Sequence, residues 1–220
     1  MASMSYILFI CVAAPILLML LPIEKESRKV ISFILIGMFC CLFISEVNGW
    51  LYKLCRSGLF YFTSNITPIT EEIVKVLPVL FYTIFFSSSR KNVATVAFAT
   101  GVGFAVLENL IILTQNYHNV DIPFALARGF SSGLMHCICI GFVSFFLSFS
   151  GKNTKTFVVG TISSLTLSIT YHSVFNLLVQ AEYMYLNHIG LFLPFVTYVI
   201  VNLLVFFRYK QTGIRFTDQD

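Results

Sequence analysis

The feature that most constrains this 220-residue sequence is its hydropathy rhythm. Seven apolar runs, at about 5–22, 30–51, 68–87, 92–115, 122–150, 156–180 and 189–207, are separated by short polar breaks. A hydrocarbon core of about 30 Å takes roughly 20 apolar residues to cross as a helix. A segment in lipid must also satisfy its own backbone hydrogen bonds, which favours helices throughout. The expected fold is therefore all-α, a polytopic membrane bundle of about seven transmembrane helices. Composition agrees, with 57% hydrophobic and 11% charged residues and a mean hydropathy of +0.86. Little length remains for a soluble unit, so residues 1–220 are expected to form one integral membrane domain. The first run follows "MASMSY", which has no basic region, and precedes "EKESRK"; this pattern predicts an uncleaved anchor rather than a signal peptide.

Basic residues set the expected orientation, because positive loops stay cytoplasmic. Lys25, Arg28, Lys29, Arg90, Lys91, Lys152, Lys155, Arg208, Lys210 and Arg215 fall in alternate breaks and the tail, against Lys53 and Arg56 on the other side. The N-terminus is expected outside and the C-terminus in the cytoplasm. This distribution accounts for the net charge of +4 without a nucleic-acid partner. Five of the six cysteines lie in apolar runs, so no disulfide framework is implied. Cys137 and Cys139 resemble a C-x-C pair, yet positions two apart on a helix point about 200° from each other.

Small residues four apart recur as Ala97, Gly101 and Ala105 in span four, and as Ala125, Gly129, Gly133, Cys137 and Gly141 in span five. Such ridges allow close backbone approach in lipid, which predicts central places for both spans. The connection "LYKLCRSGLFYFTSNITP" is expected to be an interfacial or re-entrant piece. Thr67 and Pro68 read as the N-cap and first residue of span three.

Against this apolar background, ionisable residues stand out. Each costs about 2.5 to 3.5 kcal/mol at a span centre on insertion scales. Span three carries Glu71, Glu72 and Lys75, span four Glu108 and Asn109, span five Arg128 and His136, and span six His172 and Asn176. Glu71 and Lys75 are four apart, as are His172 and Asn176, so each set shares a helix face. Glu108 and His172 both sit about eight residues before the outer end of their spans, roughly 12 Å deep. These groups are expected to converge in the outer half of the bundle. Three glutamates against Lys75 and Arg128 leave one negative charge, to be neutralised by a proton or a bound cation. Such a cluster suits water activation and oxyanion stabilisation, and it equally suits an ion-coupled transporter or a non-catalytic scaffold. Span seven lacks a lysine, which disfavours retinal. "GFSSG" at 129–133 satisfies G-x-S-x-G, but that pattern marks a nucleophile on a strand-to-helix turn, and here it lies inside a helix.

The series Glu71-Glu72-x-x-Lys75, Glu108, Arg128 with His136 eight positions on, and His172-x-x-Phe175-Asn176 resembles the PrsW family of intramembrane proteases. That family is related to the CAAX-processing and bacteriocin-processing proteases and to a non-catalytic subunit of gamma-secretase. The resemblance covers spans three to six, about 67–180. One departure lies in the second motif, similar to F-E-x-x-x-Y in the family, where this chain has Leu107-Glu108 and Ile112. The resemblance implies an intramembrane endopeptidase acting on membrane-anchored peptide substrates near the outer face, in the cytoplasmic membrane of a prokaryote. It implies Glu71 or Glu72 as general base, His136 and His172 polarising water or holding a metal, and Asn176 donating to the oxyanion. Lys75, Glu108 and Arg128 are supporting residues. Zn2+ held by His136, His172 and Glu72 is one version of the chemistry, and a metal-free mechanism is equally open.

Overall fold

The computed structural model describes residues 4–20, 22–150 and 152–212. Among these residues the chain forms seven helices and no strand. They are α1 (Met4–Met19), α2 (Lys25–Cys55), α3 (59–85), α4 (Arg90–Gln115), α5 (Ile122–Leu147), α6 (Thr154–Val179) and α7 (Met184–Thr212). Each expected run has become a helix. Five of them, α2 and α4 to α7, are long and apolar enough to cross a membrane. Helix α1 is shorter, at 16 residues, and α3 carries Glu71, Glu72 and Lys75 within its apolar sequence. Arg215, counted toward the orientation, lies outside the described residues.

The connection before span three is mostly helix. Helix α2 runs to Cys55, and Arg56, in the left-handed region at φ 47°, turns the chain into α3. Thr67 is consequently not an N-cap. It lies inside α3 with helical dihedrals, and its N–H bonds to the Phe62 carbonyl five residues back. That wide turn, Phe62–Ile66, precedes Pro68, whose ring would otherwise clash with the carbonyl four residues earlier and which donates no hydrogen bond. A second wide turn, Ala127–Ser132, interrupts α5. Helix α5 starts from Asp121, whose Oδ1 accepts the Phe124 N–H at 2.7 Å.

Helix α4 is the centre of the bundle, packed on α2 along one side and α5 along the other. Two glycines make the first of these contacts possible. A Cβ on Gly37 would lie 2.1 Å from the Thr100 carbonyl oxygen, and one on Gly103 would lie 1.9 Å from that of Ile34. Gly101 faces α5 through Ile140 and the Cys137 backbone, as its spacing predicts. Gly129 and Gly133 do not form part of a packed ridge, because a Cβ at either would meet nothing within 4 Å. They lie at the wide turn of α5, where the face that the spacing predicts is rotated away. Apolar clusters fill the space around α4, one with α2 through Met38, Cys41, Phe104 and Leu107, another with α5 through Val96, Ala97, Ile140 and Val143.

The basic ends of the helices gather on one side. Lys29 Nζ donates to Asn92 Oδ1 at 3.0 Å, joining the starts of α2 and α4, and the Arg90 guanidinium lies over the Phe145 and Phe149 rings. Substituting Gly103 by Ala is expected to lower stability in detergent by about 1–3 kcal/mol, the usual cost of overpacking. Gly129→Ala is expected to leave it unchanged or slightly raised; thermal midpoints of the two purified variants compare them directly.

Candidate active site

Four helices bring their ionisable residues to one place inside the bundle. Helix α3 contributes Glu71, Glu72 and Lys75, all buried. They stand about twelve residues into that helix, far from its first turn. Lys75 Nζ donates to Glu72 Oε1 at 2.6 Å and is 2.9 Å from His136 Nδ1. An ammonium has only donors, so His136 Nδ1 must accept, and the ring carries its proton on Nε2. That nitrogen donates to Glu108 Oε2 at 2.9 Å. The Lys75 ammonium also lies 4.9 Å from the centroid of Phe104, whose ring packs against His136.

His172 comes from α6. Its Nδ1 is 2.7 Å from Glu72 Oε1, which accepts the proton there, and its Nε2 is 3.9 Å from Glu71 Oε2. The His136 and His172 rings meet edge to face, with centroids 5.1 Å apart. Glu71 Oε2 and Glu72 Oε2 are buried without a hydrogen-bond partner. A neutral imidazole lone pair opposite an unpartnered carboxylate oxygen is favourable only with a proton or cation between them.

Glu108 links this buried group to a cleft. The cleft, of about 770 Å³, is lined among others by Thr63, Glu108, Arg128, Ser132, Asn176 and Gln180, at the end of the bundle opposite the basic loops. Arg128 Nη2 is 3.0 Å from Glu108 Oε2, though not aligned as a hydrogen bond. Asn109 Nδ2 donates to the Arg128 carbonyl at 3.3 Å. Asn176 lines the same cleft as Glu108 and Arg128 and donates through Nδ2 to the Thr63 carbonyl at 3.0 Å.

The ionisable residues expected to converge therefore do so, and Asn176 shares the cleft lining with Glu108 and Arg128. One difference concerns the two adjacent glutamates. The expected metal set contains Glu72, but the group whose ligand atoms lie within 4.8 Å of one another is Glu71, His136 and His172, while Glu72 is engaged by Lys75 and His172. Two histidines and one carboxylate are a donor set suited to catalytic zinc, and the unpartnered Glu71 Oε2 fits it. The reading from sequence missed Phe104, the contact that Ser132 of "GFSSG" makes with Glu108, and Thr63. The first was detectable as the residue one turn before Glu108 on the same face, the second as the midpoint between Arg128 and His136. Thr63 gave no such signal.

Lys75→Met leaves Glu72 buried without its cation, and removing one member of a buried pair costs about 3–5 kcal/mol. The double variant Lys75→Met with Glu72→Gln is expected to be more stable than Lys75→Met alone, a coupling that a double-mutant cycle of unfolding in detergent reads.

A family model described as PrsW family intramembrane metalloprotease matches residues 25–207, which include α2 to α6 and most of α7. No curated protein and no solved structure matches. The chain belongs to the PrsW family, and it is an intramembrane protease and a multi-pass membrane protein.

Proposed function

We propose, with membership of the PrsW family as the premise, that this protease cuts membrane-anchored or membrane-spanning polypeptides at a centre made by Glu71, Glu72, His136 and His172. The observation that carries the reading is the buried, unpartnered Glu71 Oε2 facing His172 Nε2 at 3.9 Å, with His136 alongside. The catalytic core comprises α3 to α6, and the substrate enters by the cleft.

Glu71, His136 and His172 would hold a divalent ion, zinc in the first instance, with His136 freeing a lone pair for it only by giving up its contact with Lys75 or Glu108; when bound, the ion would supply Lewis acidity and lower the pKa of a water. The protein's own groups do the rest. Glu72 accepts from His172 Nδ1 and so keeps Nε2 directed at the site, the usual carboxylate support of a ligating histidine. Lys75 donates to Glu72 Oε1, leaving Oε2 to accept the proton of the attacking water. Glu108 fixes the His136 ring. Asn176 exchanges the Thr63 carbonyl for the developing oxyanion, and the unpaired Nε of Arg128 lies on the same wall as a second donor.

A second reading is favoured by one observation, that both nitrogens of His136 already have protein partners in Lys75 and Glu108. In it no metal binds, and Glu71 acts as the base on a water shared with His172. Orientation follows from the basic loops, which gather opposite the cleft. With these loops cytoplasmic, all seven helices span, the N-terminus is outside, and cleavage occurs near the outer face of a prokaryotic cytoplasmic membrane.

With purified protein and a single-span substrate, Glu71→Gln, Glu72→Gln, His136→Ala and His172→Ala are each expected to lower cleavage by about 10²–10⁴-fold. Wild-type rates from all four would refute the site. Metal analysis of the same preparations separates the two chemistries. Stoichiometric zinc in the wild type, lost in Glu71→Gln and His172→Ala, is expected, whereas full activity without metal selects the second reading.

A further inference from the structure

Helix α5 treats its serine at position 132 differently from the way most helical hydroxyls in this protein are treated. Ser45, Thr83, Thr100 and Thr170 each donate to a carbonyl four residues back in their own helix, the common fate of such side chains. For Ser132 that carbonyl belongs to Arg128, and Asn109 of α4 already donates to it. The Ser132 hydroxyl, 1% exposed, turns instead to Glu108 Oε2 at 3.4 Å.

Residues 128, 132 and 136 thus all address one oxygen. Arg128 Nη2 lies 3.0 Å from Glu108 Oε2, Ser132 Oγ 3.4 Å and His136 Nε2 2.9 Å. Arg128 contributes charge without hydrogen-bond alignment, so Ser132 and His136 are the aligned donors. The wide turn Ala127–Ser132 brings the first two of these residues to the carboxylate. Wide turns of this kind are rare in helices and occur often at functional sites. Asn109, next to Glu108 on α4, anchors the backbone of that turn, so two adjacent residues of α4 grip both the side chains and the main chain of α5.

We infer that Ser132 is a positioning residue: its hydroxyl holds the Glu108 carboxylate on His136 Nε2 and so fixes the ring that faces Lys75. The hydroxyl takes no part in bond making. This leaves Glu108 Oε1 without a protein hydrogen bond among the described residues, on a carboxylate that lines the cleft. The inference rests on the proposed Glu/His centre, since holding His136 matters to the reaction only if His136 serves it.

The test compares wild type, Ser132→Ala, Ser132→Thr and His136→Ala as full-length proteins in liposomes with a single-span substrate, alongside thermal midpoints. Ser132→Ala is expected to lower kcat about tenfold, the worth of one hydrogen bond to a charged group, with KM changed less than about twofold. Ser132→Thr keeps the hydroxyl and is expected to recover most of that loss. An unchanged kcat in Ser132→Ala overturns the inference. So does a Ser132→Thr variant that folds normally yet is no faster than Ser132→Ala. Loss in Ser132→Ala as complete as in His136→Ala overturns it too, because that result makes the serine a reactant. If His136→Ala itself cleaves at the wild-type rate, the Glu/His centre fails; if His136→Ala is inactive and Ser132→Ala is normal, only the role of Ser132 fails.

Discussion

A lysine with no exposed surface, inside a bundle built for lipid, is the constraint on which the rest of this structure depends. Burying Lys75 is tolerable only if the ammonium finds acceptors on every available side, and it finds Glu72 Oε1 at 2.6 Å, His136 Nδ1 at 2.9 Å and the face of Phe104. Each acceptor comes with its own consequences. Glu72 ties α3 to α6 through His172, and His136 ties α5 to α4 through Glu108. A single cation thereby fixes the relative placement of four helices whose apolar surfaces specify little register by themselves. Its ammonium also fixes a tautomer, because His136 must present a lone pair to it.

The same network divides two neighbouring carboxylates into different roles. Glu71 and Glu72 are adjacent on α3 and nearly identical in burial, yet Glu72 is held by two hydrogen bonds through Oε1 while Glu71 faces His172 Nε2 with its Oε2 unpartnered. Adjacent helical positions point about 100° apart, which suffices to turn one toward Lys75 and the other toward the open side of the histidine. An excess negative charge beside two imidazoles is an arrangement that draws a proton or a cation, and it accords with a family of metalloproteases.

Access to this group depends on departures from regular helix. Both wide turns, in α3 at Phe62–Ile66 and in α5 at Ala127–Ser132, border the cleft. The first accommodates Pro68 and presents the Thr63 carbonyl to Asn176; the second presents Arg128 and Ser132 to Glu108. At the opposite face of α4, Gly37 and Gly103 let α2 approach until carbonyl and backbone touch. The close glycine contact keeps α4 in place while its other side carries Glu108 toward α5. Rigidity on one flank and irregular backbone on the other are the conditions under which a buried polar site stays both ordered and reachable.

The sequence alone determined the all-helical class, the seven runs and the residues of the polar cluster, because helix formation in lipid is dictated by local apolar length and because buried charge is costly enough to be meaningful wherever it appears. Spacing of three and four residues, and the similar depth of Glu108 and His172 within their spans, sufficed to predict that Glu71, Glu72, Lys75, Glu108, Arg128, His136 and His172 meet. The start of α3 at residue 59, the unpacked Gly129 and Gly133, the partner of Asn176 and the part played by Ser132 were decided only by tertiary structure. Wide turns carry no periodic signature and rotate the faces that follow them. The division between Glu71 and Glu72 was settled in the same way, since it depends on which oxygen atoms three other helices bring within reach.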